Sequence, residues 1–174
     1  MLKFTHYAVT FAEFPDEIAL IFSISGCPNH CKGCSEPELQ KDTGIPLTES
    51  IIKEKISEFP GITLIGFLGG DSDWDEVEHL ANYIHSLNLK VGMYSGKDTL
   101  SMKLLNCLDY YKIGRWILPV GSADSWWKTN CGPIKFTFSN QLMFKKEGDL
   151  WINITFKFRD KHLNNLKKEV IQKE

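Results

Sequence analysis

No stretch of this 174-residue chain approaches the ~20 consecutive apolar residues that a membrane-spanning helix needs, so a helical membrane protein is excluded at the outset. Basic surplus is lacking too. Twenty Lys and Arg against 22 Asp and Glu leave a formal net charge of -2, and no global positive field argues for nucleic acid. There is no internal repeat, low-complexity tract or long linker. The opening residues Met1-Leu2-Lys3-Phe4-Thr5-His6 lack a signal peptide's apolar core and small-residue cleavage site, so a cytoplasmic protein is expected. No G-x-G-x-x-G, P-loop, H-E-x-x-H or G-x-S-x-G is found, which removes the motif grounds for dinucleotide binding, P-loop phosphate binding, a zincin or a serine hydrolase. What is left is one globular domain over residues 1–174, with 43% hydrophobic and 24% charged residues and enough length for a real core.

Cysteine is sparse, at five residues, yet three of them share one short run, Cys27-Pro28-Asn29-His30-Cys31-Lys32-Gly33-Cys34. In a compartment that keeps thiols reduced, such a run reads as metal ligands rather than disulfides. Three thiolates spaced C-x3-C-x2-C suit a soft metal centre. They are one too few for a four-iron cluster, so one iron would have no protein ligand and could hold a substrate or cofactor. The ferredoxin run, by contrast, supplies a fourth cysteine for pure electron transfer. A zinc site completed by His30, Cys107 or Cys131 is the alternative, although its usual second C-x2-C half is missing. Cys107 falls on an apolar helical face with Leu100 and Leu104, where a buried, inert thiol is expected.

Hydrophobic patterning predicts alternating strands and helices. Ile18 to Ser25 is an apolar run that reads as a strand buried on both faces, paired with an earlier strand near Phe4 to Phe11. Thr48 caps a helix whose Ile52, Ile56 and Phe59 share a face, and Pro60-Gly61 stops it. Ile62 to Phe67 is the next strand. Asp73, with Glu76 three residues on, caps a second helix bearing Val77, Leu80, Ala81, Ile84 and Leu87. Leu89 to Tyr94 is a strand, Leu100, Leu104 and Leu108 mark a third helix, and a strand lies between Tyr110 and Leu118. Ile134 to Phe138, Gln141 to Lys146 and the alternating Trp151 to Phe158 read as further strands, and a thin apolar stripe follows Asp160. Three strand–helix alternations predict a parallel sheet wound with helices. Such sheets bind ligands beyond the carboxyl ends of their strands, where the cysteine run, Gly69-Gly70-Asp71 and Tyr94-Ser95-Gly96 all fall. Trp126-Trp127 suits a core, a partner surface or a pocket wall.

The cysteine loop after one strand and Gly-Gly-Asp after the next resemble the radical S-adenosylmethionine superfamily. Within it, the chain is most similar to the activating proteins of anaerobic ribonucleoside-triphosphate reductases. Phe22-Ser23-Ile24-Ser25-Gly26-Cys27-Pro28, Lys32-Gly33-Cys34, Phe67-Leu68-Gly69-Gly70-Asp71 and Ser139-Asn140-Gln141 carry the resemblance. Ser35 and the stretch from Gly121 to Pro133 depart from it. The resemblance implies an α/β fold, an open, partial βα barrel with a mostly parallel sheet and a C-terminal β hairpin. It also implies a [4Fe-4S] cluster on Cys27, Cys31 and Cys34, with S-adenosylmethionine on the fourth iron. Gly69, Gly70 and Asp71 would bind the amino-acid end of that cofactor. Gly33, Ser35, Tyr94 and Ser95 would make further contacts, and Asn140 and Gln141 would be site residues without an assigned role. The activity implied is an oxidoreductase that makes a 5′-deoxyadenosyl radical and installs a glycyl radical. Its partners would be the large glycyl-radical subunit of the reductase and a flavodoxin-like or ferredoxin-like electron donor.

Overall fold

The computed structural model describes residues 1–116, 141–155 and 157. The strand expected at Ile134 to Phe138, the stripe after Asp160, Trp126, Trp127, Cys131 and Asn140 lie outside the described residues. Among the described residues eight strands form one sheet: β1 (Lys3–Thr10), β2 (Ala19–Ile24), β3 (Ile45–Pro46), β4 (Leu64–Leu68), β5 (Lys90–Tyr94), β6 (Tyr110–Ile113), β7 (Leu142–Glu147) and β8 (Leu150–Asn153). The helices are α1 (Glu49–Glu58), α2 (Trp74–Ser86) and α3 (Met102–Asn106), with a 3-10 turn at Pro37–Gln40. Among the described residues no helix is long and apolar enough to cross a membrane.

The strand order is β3-β1-β2-β4-β5-β6-β7-β8. The inner strands β2, β4, β5 and β6 are parallel, each beside its predecessor. Antiparallel pairs flank them on both sides, so antiparallel pairings outnumber parallel ones four to three. The three helices named above cover the same face. Ile52 of α1, Val77, Leu80 and Ile84 of α2 and Leu104 of α3 pack there against Phe22, Phe67, Met93 and Tyr111. Those four are also register partners across β2, β4, β5 and β6, so one row of the ladder becomes one row of the core. Alternation sends the intervening residues to the opposite face.

On that opposite face the row Ile21, Gly66, Gly92 and Tyr110 supports the buried ring of Phe14. A Cβ at Gly66 would stand 2.4 Å from Phe14 Cε2, and one at Gly92 would stand 2.2 Å from Cε1. The two glycines therefore make the seat for this ring, which also meets Tyr94 and Tyr110 at centroid distances of 5.2 and 6.0 Å. One row further toward the carboxyl ends stand Leu68, Tyr94 and Lys112. The sheet thus turns one face to the helices and offers, beyond the Phe14 plug, an opening at the strand ends.

Helix starts follow their caps. Thr48 Oγ1 accepts from Ile51 N at 3.3 Å, and Asp73 Oδ1 accepts from Glu76 N at 3.1 Å. The third helix is shorter than its leucine spacing predicts. Ser101 caps it and Cys107 ends it, so Leu100 and Leu108 pack from the flanking coil.

Candidate metal centre

The cysteine run leaves β2 at Ile24 and is tied down by the segment after it. Gly26 N donates to Lys41 O at 3.0 Å and Cys27 N to Leu39 O at 2.9 Å. Within the loop, Cys34 N donates to Cys31 O at 3.2 Å, and His30 takes a left-handed φ of 45°. Cys27, Cys31 and Cys34 are free thiols, each partly exposed. All three line one cavity of about 300 Å³ at the carboxyl ends of the parallel strands.

Ser35, Gly69, Asp71, Tyr94, Ser95 and Gln141 line the same cavity. Gly33 and Gly70 do not. Gly33 is exposed, and a Cβ on Gly70 would meet Val77 Cγ2 at 3.0 Å, on the helix side of the sheet. Gly69 is a glycine of necessity. Its φ is 108°, and a Cβ would press to 3.0 Å on Ile24 O. Gln141 Nε2 donates to Gly114 O at 2.9 Å, which holds the start of the β7 arm against the end of β6.

Asp71 is the hub of the rim. Oδ1 accepts from Ser95 Oγ at 2.6 Å and Trp74 Nε1 at 3.3 Å. Oδ2 accepts from Gly96 N at 2.9 Å and Asn29 Nδ2 at 2.5 Å. One carboxylate therefore joins the cysteine loop, the end of β4 and the end of β5. The Tyr94 hydroxyl donates to Glu13 O, and burial, with Glu13 adding, pushes its pKa well up.

Three charged lining residues carried no signal in the sequence. Lys112 is brought beside Tyr94 by the β5–β6 register, with Nζ 3.7 Å from the ring centroid. Burial pushes its ammonium down to about 8, against the pull of Glu13 and Glu36. Glu36 Oε2 is buried and accepts no hydrogen bond among the described residues. Lys112 is also the one lysine or arginine among the described residues lining the cavity. Only the strand register and the loop path, neither of which a linear pattern encodes, set these groups together.

The donor set is that of a soft metal centre, three cysteine sulfurs on one cavity. Among the described residues, no three His, Cys, Asp or Glu side chains gather as the ligands of a single metal ion would. A four-iron cluster would take one thiolate from each of Cys27, Cys31 and Cys34, all of which line the cavity. Of the residues named for a zinc site, His30 Nδ1 pairs with Gln40 Oε1 at 3.2 Å. The Cys107 thiol is buried, bonded to Leu104 O at 3.0 Å, with burial pushing its pKa up to about 11. Cys131 lies outside the described residues.

Residues 18–116, more than half of the chain, match the family described as "4Fe-4S single cluster domain". No curated protein and no solved structure matches the chain. Four cysteines fall within the matched span, and of these Cys27, Cys31 and Cys34 face the cavity while Cys107 is in the core.

Proposed function

This chain belongs to the 4Fe-4S single cluster domain family, and from there we propose that it is a radical S-adenosylmethionine enzyme that activates an anaerobic ribonucleotide reductase. When bound and reduced by a flavodoxin-like or ferredoxin-like donor, the cluster would supply the one electron that splits S-adenosylmethionine into methionine and a 5′-deoxyadenosyl radical, the species that would take a hydrogen atom from a glycine of the large reductase subunit. Cys27, Cys31 and Cys34 hold the cluster. One observation carries this reading: the three cysteines share a cavity with the turns that end β4 and β5. The winding supports it: β2, β4, β5 and β6 run parallel in order, and the helices of the described residues pack on one face of them.

The cavity offers what a zwitterionic amino-acid group needs. Lys112 supplies a cation for its carboxylate, and the unpartnered Glu36 Oε2 supplies an acceptor for its ammonium. Asp71 fixes both turns so that the backbone at Gly69 is presented to the cofactor. Leu68, Leu39 and Ile24 give the wall apolar stretches that limit water.

Anaerobic reconstitution with iron and sulfide tests the assignment. The chain is expected to bind about four irons, to cleave S-adenosylmethionine on reduction, and to yield a glycyl-radical signal when the large subunit is added. Cys31→Ala is expected to lose the cluster and the cleavage together. Normal iron content in that variant contradicts the ligand assignment. Cleavage with no radical on the reductase, but a radical on another glycyl-radical enzyme, keeps the chemistry and moves the partner.

A further inference from the structure

Asn29, between the first two cysteines of the loop, is held more tightly than a loop side chain needs to be. Its Nδ2 donates to Asp71 Oδ2 at 2.5 Å and approaches Cys27 Sγ at 3.6 Å. The contact with a carboxylate, which only accepts, requires the nitrogen to face Asp71. The same nitrogen thus stands within reach of both acceptors, the carboxylate and the sulfur. Its Oδ1 is buried with no donor among the described residues, so the amide is held by its N–H groups alone. Gly96 leaves the space. A Cβ there would stand 2.5 Å from Asn29 Nδ2 and 3.0 Å from Cγ. A carboxylate anchor, a glycine face with no Cβ and a buried amide together set the Asn29 N–H side against one cysteine sulfur.

We propose that Asn29 is a built-in hydrogen-bond donor to the Cys27 ligand sulfur, steered by Asp71 and given room by Gly96, and that it raises the reduction potential of the cluster. The inference rests on the cluster assignment above. Reduction adds negative charge that spreads onto the ligand sulfurs. A donor N–H stabilises that charge, and hydrogen bonds to sulfur are among the features that set the potential of an iron–sulfur centre. Asn29 is a positioning and tuning residue in this account. It ligates no iron and touches no reacting carbon.

The test is a redox titration of the anaerobically reconstituted protein, followed by the electron paramagnetic resonance signal of the reduced cluster, with iron counted in parallel. Wild type must first take up its cluster. Failure there sinks the proposed function and not this inference alone. Asn29→Ala is expected to keep its iron and to shift the one-electron equilibrium about tenfold toward the oxidised cluster, which is ~59 mV. Gly96→Ala, which keeps the amide but crowds it off the sulfur, is expected to shift the same way. In deuterated buffer, the exchangeable-proton coupling of the reduced wild-type cluster is expected to be lost in Asn29→Ala. Wild-type potentials in both variants overturn the proposal. If Asn29→Ala cannot hold iron, Gly96→Ala decides, and a wild-type potential there overturns it. Loss of iron from both also overturns it, because a tuning donor is not required for three cysteines to hold the cluster.

Discussion

At Lys112 an ammonium is withdrawn from water, with the Tyr94 ring as its described contact. Its pKa is pushed down to about 8 by burial, from an ordinary 10.5. Between those two values the unfolded chain binds more protons than the folded one, so stability rises with pH across that window. Below it, the buried charge costs the fold. Lys112→Met is therefore expected to be more stable than wild type at pH 7, by roughly 2 kcal/mol after discounting for the part of the side chain open to the cavity. The difference should close as the pH rises from about 8 toward 10.5. Urea denaturation at pH 7 and pH 9.5 reads this directly, and an unchanged difference would remove the burial argument. A lysine kept where it destabilises is explained if its charge serves a ligand. The same variant should weaken S-adenosylmethionine binding about tenfold at pH 7, the scale of one lost charge-assisted contact, and wild-type affinity should fall above pH 8.

Among the elements, the seat of Phe14 on β4 and β5 is the tightest fit. The ring is fully buried and boxed by Tyr94 and Tyr110. Gly92→Ala puts a methyl 2.2 Å from it, and a ring so enclosed cannot step aside cheaply. A loss of about 2–3 kcal/mol is expected, the upper part of the range for overpacking a core, read as a lower denaturation midpoint. Phe14→Leu combined with Gly92→Ala should cost less than the two single changes added, because the smaller side chain relieves the clash. This seat also marks how far the linear pattern reaches. β2 was legible because its residues are buried on both faces, α1 and α2 because Thr48 and Asp73 cap clear apolar stripes, and the cysteine loop because its spacing carries its chemistry. Glycines inside β4 and β5, however, look like any weak strand position until the register sets Gly66 beside Gly92 beneath Phe14. The short β3 and the Pro37–Gln40 turn have no periodicity to detect, yet Leu39 and Lys41 supply the carbonyls that anchor the cysteine loop. Lys112 and Glu36 were invisible for the same reason: their partners come from other elements.

Across the whole molecule the two ends of the parallel strands do different work. The carboxyl ends carry the cavity, and the amino ends are gathered by one buried carboxylate. Glu17, just before β2, has a side chain only 3% exposed. Its Oε1 accepts from Lys90 Nζ at 2.5 Å and Tyr110 OH at 2.9 Å, and its Oε2 accepts from Thr63 Oγ1 at 2.6 Å. Those partners stand at the starts of β5, β6 and β4, so four parallel strands share one anchor. Burial by itself raises the Glu17 pKa, and the bonds from Lys90, Thr63 and Tyr110 outweigh it, leaving the group below its ordinary 4.5. A carboxyl lowered by folding stabilises above the unfolded value, and that contribution is lost as pH falls through the folded one. Glu17→Gln is expected to cost roughly 3 kcal/mol at pH 7, the scale for breaking a buried charge-assisted network. Below pH 4.5 wild type should lose stability faster than the variant, so the two converge in acid. Because the anchor lies at the end of the strands away from the cysteines, Glu17→Gln should still bind about four irons at pH 7. Equal stability of the two proteins at pH 7, or iron loss in a variant that stays folded, would show that the two ends are not separate in this way.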